Sequence, residues 1–151
     1  MIRIAFRDDV PALAALVASY RAESDPAADV RSITADAAEQ FARCLDDAER
    51  GIVYVADTDG DVRGYAAVHW VPLPLIRGTE GYLSDLVVRS DARGHGIGRE
   101  LLAAVERAAR DRGCVRLMLN NGREAESYRR GFYAKHGFVE RTRVANFVKR
   151  L

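Results

Sequence analysis

Six consecutive residues, Arg93-Gly94-His95-Gly96-Ile97-Gly98, place three glycines between an apolar run and the start of an amphipathic segment. That pattern suits anion binding. Glycine lets the backbone approach a ligand closely, and the free N–H groups of a helix's first turn point at negative charge along the helix dipole. A phosphate or pyrophosphate is the expected guest. A nucleotide-type Gly-Lys-Ser/Thr loop is excluded, because Arg99 and Glu100 follow Gly98. A dinucleotide fingerprint fits poorly, since the next strand, Val115 to Leu119, runs into Asn120-Asn121-Gly122 and offers no acid to hold a ribose. Glycines that only shape a tight strand-to-helix turn stay open as the plain alternative.

Such a loop needs a strand before it and a helix behind it. Tyr82-Leu83-Ser84-Asp85-Leu86-Val87-Val88 reads as the strand, and Ile97, Leu101, Leu102, Val105, Ala108 and Ala109 share one helical face, closed by Gly113. Upstream, a strand over Ile2 to Phe6 leads through Asp8 or Asp9 and Pro11 into a helix carrying Leu13, Leu16, Val17 and Tyr20. A second helix is predicted from about Thr34 to Arg50, with Ala38, Phe41, Leu45 and Ala48 on one face and Gly51 ending it. Strands Ile52 to Ala56 and Val62 to Trp70 flank the turn signal Asp57-Thr58-Asp59-Gly60-Asp61. The Val115 strand, a helix near Glu124 to His136 and strands within Phe138 to Leu151 complete the chain. The order β-α-α-β-β-β-α-β-α-β-β predicts an α/β fold with a mixed sheet and helices on both faces.

At 151 residues and 48% hydrophobic content, the chain is expected to form a single domain, 1–151, with a proper core. A net charge of +1 with interspersed signs argues against nucleic-acid binding. Cys44 and Cys114 lack metal or redox spacing and are expected as buried thiols, which fits a cytoplasmic location. No charged-then-apolar leader and no membrane-length apolar run is present, so no membrane partner is expected.

The segment Leu86-Val87-Val88-Arg89-Ser90-Asp91-Ala92-Arg93-Gly94-His95-Gly96-Ile97-Gly98 resembles motif A of the GNAT superfamily of acyl-coenzyme A-dependent N-acetyltransferases. Gly131-Phe132-Tyr133-Ala134-Lys135-His136-Gly137-Phe138 is similar to motif B of that superfamily. The resemblance implies the GNAT fold and acetyl-coenzyme A as co-substrate, with no metal. It implies that pantetheine pairs with backbone groups of the Leu86-Val87-Val88 strand and that the pyrophosphate lies on the amides from Arg93 or Gly94 through Arg99, across His95, Gly96, Ile97 and Gly98. Tyr133 matches the acid that protonates the departing thiolate. A typical motif B has Asn and Ala where this chain has Glu126 and Arg129, so Asn120 or Asn121 is expected to take over pantetheine contacts.

The base is open. Asp85 lies beside the bulge that the resemblance implies, Glu80 sits near the start of the same strand, and His69 carries an imidazole suited to proton transfer near neutral pH. Ser84 stands where some relatives have Glu and cannot itself hold a proton. Ala22 to Arg31 and Val71-Pro72-Leu73-Pro74-Leu75 are expected to frame the acceptor, taken as a small-molecule primary amine. A protein acceptor, a non-catalytic coenzyme A-binding regulator and a homodimer through the C-terminal strands are the alternatives that the resemblance admits.

Overall fold

The computed structural model describes residues 1–151 as two compact units, Met1–Leu119 and Asn120–Leu151. In the first unit, β1 (Ile2–Ile4), β2 (Gly51–Thr58), β3 (Asp61–Leu73), β4 (Gly78–Val88) and β5 (Arg116–Leu119) form one sheet in sequence order. Neighbours are antiparallel except for β4 and β5, which run parallel. The mixed α/β architecture expected from the sequence is present.

The sheet separates two apolar layers because side chains alternate along each strand. On one face, Val53, Val55, Tyr65, Ala67 and Val87 pack with Leu13 and Leu16 of α1 (Val10–Ser24) and Phe41 of α2 (Val30–Asp46). Each such aliphatic side chain contributes about 1.5–3 kcal/mol on burial. On the other face lies α3 (Ile97–Asp111), whose Arg107 and Asp111 charges reach Tyr54 and whose Ile97 side chain lies 3.4 Å from the place a Cβ on Gly64 would occupy. No helix is long and apolar enough to cross a membrane.

The β2–β3 hairpin turns on Asp59 (φ 52°) and Gly60 (φ 85°), the two left-handed positions that a two-residue turn requires. The second helix begins earlier than the hydrophobic spacing predicts. Asp29 accepts a hydrogen bond from the Ser32 N–H at 3.1 Å and caps it, so four more residues join the helix, which ends at Asp46 instead of Arg50. The third strand runs on through Val71–Leu73, so part of the predicted acceptor loop is strand.

In the second unit the single helix expected from Glu124 to His136 is two short ones, α4 (Glu126–Arg129) and α5 (Phe132–Lys135). Gly131 between them has φ 64°, a left-handed conformation that stops a right-handed helix. The two strands expected within Phe138 to Leu151 are absent. A strand needs a ladder, and this stretch forms none. Val139, Phe147, Val148 and Leu151 stand exposed.

The three-residue β1 is tied down by Arg3, which donates to both oxygens of the buried Asp9 at 2.7 and 2.8 Å and to Asp57 at 2.9 Å. Asp9 also accepts the Phe6 N–H at 2.9 Å. The hydrogen bond from Arg3 holds the Asp9 carboxyl below its ordinary range, against the opposing effect of burial. A carboxyl lowered by folding adds stability that is present above its unfolded value and is lost as pH falls through the folded one. Arg3→Met is therefore expected to melt below the wild type at pH 7, with the gap narrowing below about pH 4; thermal unfolding of both proteins across pH checks this.

Candidate functional site

The site grows from the end of β4. Its ladder with β5 stops at Leu83↔Leu119, while its ladder with β3 continues to Gly64↔Val88. The Arg89 N–H donates to the Arg63 carbonyl at 2.9 Å, so in the alternating antiparallel pattern Val87 and Arg89 turn their backbone groups toward β3. Leu86 and Val88 then present theirs to the opposite edge, where the β5 ladder has ended. The Val88 carbonyl there accepts the Arg93 Nε–H at 2.9 Å.

A bulge lies beside this edge. Ala67 pairs with Asp85 and Val68 with Leu83, which leaves Ser84 as the extra residue. The insertion puts both Ser84 and Asp85 on the α1/α2 face with His69.

After β4 the chain makes a short 3₁₀ turn over Ser90–Ala92 and reaches the glycine loop. Arg89 fixes that turn by gripping Asp61 at 2.7 and 2.9 Å and Asp91 at 2.7 Å, and its hydrogen bonds lower both carboxyls. Gly94 (φ 83°) and Gly96 (φ 85°) are left-handed, and Gly96 immediately precedes α3. No side chain caps that helix, so the first-turn amides of Ile97, Gly98 and Arg99 have no side-chain acceptor of that kind. Gly98 lies within the helix and needs no special conformation; His95 is exposed in the loop.

Arg93 behaves differently from a simple loop residue. Its guanidinium bonds Glu23 of α1 at 2.7 Å as well as the Val88 carbonyl, so it braces the loop against the strand and the first helix. Glu23 had only the signal of a scattered acid in a loop. It lies 70 residues from its partner, and no local pattern announces the pair.

The three base candidates part company. Glu80 is only 3% exposed and accepts from Arg116 Nε of β5 at 2.5 Å. It is committed to a structural ion pair. His69 and Asp85 meet at Ser84: His69 Nε2 lies 3.0 Å from Ser84 Oγ, which donates to Asp85 Oδ2 at 2.8 Å. Both cysteines are partly buried, and burial pushes their thiols up, away from the reactive thiolate.

In the second unit, Tyr133 is half-buried, its ring edge-on to Phe132 at 5.0 Å and to Phe138 at 5.7 Å. The Asn121 side-chain oxygen accepts from Ser127 Oγ at 3.0 Å, and Asn120 is exposed. Tyr128 and Arg123 both donate to Glu140, at 2.9 and 2.7 Å.

The arrangement in the first unit places an open strand edge, a bulge and a helix start with no side-chain cap in one stretch of chain. The sequence profile of the acetyltransferase (GNAT) family matches residues 13–138. The chain is 33% identical over 145 residues to an aminoglycoside N(6')-acetyltransferase type 1 of Stenotrophomonas maltophilia, covering 93% of this chain and 90% of that protein. It is 32% identical over 142 residues to a phosphinothricin N-acetyltransferase of Alcaligenes faecalis, covering 92% and 70%. A solved structure described as a transcriptional regulator from Bacillus halodurans C-125 shares the fold at a TM-score of 0.84 and 20% identity, over 100% of this chain and 99% of that one.

Proposed function

The chain belongs to the acetyltransferase (GNAT) family, and on that premise we propose that it transfers an acetyl group from acetyl-coenzyme A to a primary amine of a small molecule, by direct attack in a ternary complex. The observation that carries the reading is the β4 edge, free of its β5 ladder beyond Leu83 and followed by the left-handed Gly94 and Gly96 at the head of α3.

The residues fit the co-substrate. Gly94 and Gly96 have nothing within 4 Å of a Cβ position, so an anion can approach the loop backbone. The amides of Gly94 through Arg99 hold the pyrophosphate, and the outward backbone groups of Leu86 and Val88, on either side of Val87, receive the amide groups of pantetheine as an added strand does. The backbone at the bulge stabilises the oxyanion that forms as the neutral amine attacks the thioester carbonyl. The C–N bond forms, the C–S bond breaks, Tyr133 O–H donates its proton to the departing sulfur, and the proton that the nitrogen gives up on becoming an amide restores the tyrosine through solvent. Asn120 or Asn121 supports the pantetheine arm. The whole chain acts as one acetyltransferase domain.

The acceptor class follows the relatives, which are named for acting on an aminoglycoside and on phosphinothricin. Titration with acetyl-coenzyme A, coenzyme A, ATP and NAD, followed by thiol release with each of those two amines, tests the reading. Acetyl-coenzyme A is expected to stabilise the protein selectively and to release thiol with an amine. Binding without release would favour a non-catalytic coenzyme A-binding protein.

Gly96→Ala tests the loop directly. A left-handed conformation costs an L-residue roughly 1–2 kcal/mol, so the free variant's loop is expected to relax away from it, and regaining it for the co-substrate weakens acetyl-coenzyme A binding about 5–30-fold. Direct titration of both proteins with acetyl-coenzyme A reads the difference.

A further inference from the structure

A continuous polar chain crosses the β4 bulge. Ser84 occupies the unmatched position, and its Oγ reaches Asp85 Oδ2 at 2.8 Å, His69 Nε2 at 3.0 Å and the Ala67 carbonyl at 3.3 Å. A serine that served only to satisfy the bulge would need just the carbonyl; here that is the longest of the three contacts. The carboxylate is the shortest. The bulge is what makes the chain possible, because without the extra residue Ser84 and Asp85 would point to opposite faces of the sheet.

Both ends of the chain reach outward. Asp85 is exposed, one residue before the outward-turned backbone of Leu86. His69 lines a cavity of about 180 Å³ beneath α2, together with Gln40, Cys44, Asp47 and Gly51. Gly51 leaves room for the imidazole: a Cβ there would sit 3.1 Å from His69 Nδ1 and 2.5 Å from the Val68 carbonyl oxygen. The charged and titratable groups around the ring are Arg43 and Cys44 from α2, Asp47 and Arg50 from the turn between α2 and β2, and Tyr82, its register partner on β4. Arg43 is paired with Glu39 and Arg50 with Asp47, so these charges largely cancel. Burial first, and the Asp85 charge second, push the Cys44 thiol up, and it stays protonated near neutral pH.

We infer that Asp85, Ser84 and His69 act as one proton relay, in which Asp85 takes the proton of the acceptor amine and Ser84 passes a proton on to His69. The inference rests on the acetyl transfer proposed above and names the base of that reaction. An N–H bond of the ammonium breaks as an O–H bond forms on Asp85. Once protonated, Asp85 donates to Ser84 Oγ in place of accepting from it; the serine's own hydrogen turns to His69 and moves onto the Nε2 of an imidazole that carries its hydrogen on Nδ1, as the carboxyl proton moves to Oγ. Carboxylate and hydroxyl are restored, the imidazole becomes imidazolium, and the nitrogen keeps its lone pair for the thioester carbonyl. The imidazolium then loses its proton to water from the cavity. The relay matters because it carries the proton away from the carboxylate and leaves Asp85 free to accept again. Asp85 is the catalytic residue; Ser84 and His69 act through it.

The test compares the full-length wild type with Ser84→Ala, His69→Gln, the double variant and Ser84→Thr, using acetyl-coenzyme A and whichever of the aminoglycoside and phosphinothricin gives turnover. Each single loss is expected to lower kcat about 100-fold near pH 7 with acetyl-coenzyme A affinity retained. The double variant should be no worse than either single, as befits residues acting as a unit. Ser84→Thr keeps the hydroxyl and should recover most of the loss. The deficit should shrink toward about pH 10, where the amine deprotonates unaided; a merely structural role would not produce that dependence. Wild-type kcat in Ser84→Ala, additive losses, or a deficit constant with pH would overturn the relay and leave the transferase reading standing. A wild type that binds acetyl-coenzyme A yet acetylates neither amine overturns that reading and the relay with it.

Discussion

Tyr133→Phe is expected to reduce kcat by about 100- to 1,000-fold while leaving acetyl-coenzyme A affinity within about 2-fold, as removal of a positioned general acid does. Phe132 stands edge-on to the ring at 5.0 Å and Phe138 at 5.7 Å, and phenylalanine retains both contacts. The backbone role survives as well, since the Tyr133 carbonyl accepts the Phe138 N–H at 3.1 Å whatever the side chain. Only the hydroxyl is removed. In the proposed reaction that hydroxyl donates its proton to the departing sulfur, so its loss burdens the step in which the C–S bond breaks and spares binding. Steady-state kinetics with a separate coenzyme titration distinguish the two. Equal losses in affinity and kcat would assign Tyr133 to packing.

Arg116→Met is expected to destabilise the protein by about 2–3 kcal/mol, a drop in melting temperature of roughly 4–12 °C for a chain of this size. Glu80 is 3% exposed, and Arg116 Nε supplies a hydrogen bond to it at 2.5 Å. Removing the cation leaves a buried carboxylate without its counter-charge. The figure lies below the 3–5 kcal/mol typical of a fully buried pair because the Arg116 side chain is 39% exposed and already partly screened. The same logic gives a control. Replacing both partners, in Glu80→Leu with Arg116→Met, should recover much of the loss, since well-packed apolar pairs often replace buried ion pairs without cost. Thermal unfolding of the two single variants and the double variant checks the expectation. A double variant as unstable as the sum of the singles would contradict it.

The pair also sets Glu80 apart from Asp85 and His69 in spite of its position in the sequence. On β4 alone, Glu80, Asp85 and the neighbouring serine look like equivalent polar residues near a site. Parallel pairing with β5 sets Glu80 opposite Arg116, and the carboxylate is spent on that contact. Asp85 and His69 gained in the same way what no spacing could show, a shared hydroxyl on a residue whose register is shifted by a bulge.

Elements with a strong local signal were legible. The Asp59-Gly60 turn, the strand before Arg93 and the helix after Gly96 all follow from residue conformational preference and hydrophobic period. Boundaries that depend on a cap or on a partner were not. Asp29 lies within the segment expected to frame the acceptor, yet its Oδ1 accepts the Ser32 N–H and caps the second helix, and Phe138 to Leu151 carry strand-like residues with no ladder to join.

The sequence by itself marked the loop from Arg93 to Gly98 as the candidate anion site, because closely spaced glycines ahead of an amphipathic helix are a property of a few adjacent residues. It also determined the family, through two motifs in the right order. The tertiary structure alone decided which side chains are available to act. Arg93 is bound to Glu23 across 70 residues, Glu80 to Arg116 across 36, and His69 to Ser84 across 15. Each of these contacts depends on strand register or helix docking, which arise from long-range packing and leave no periodic trace in the chain.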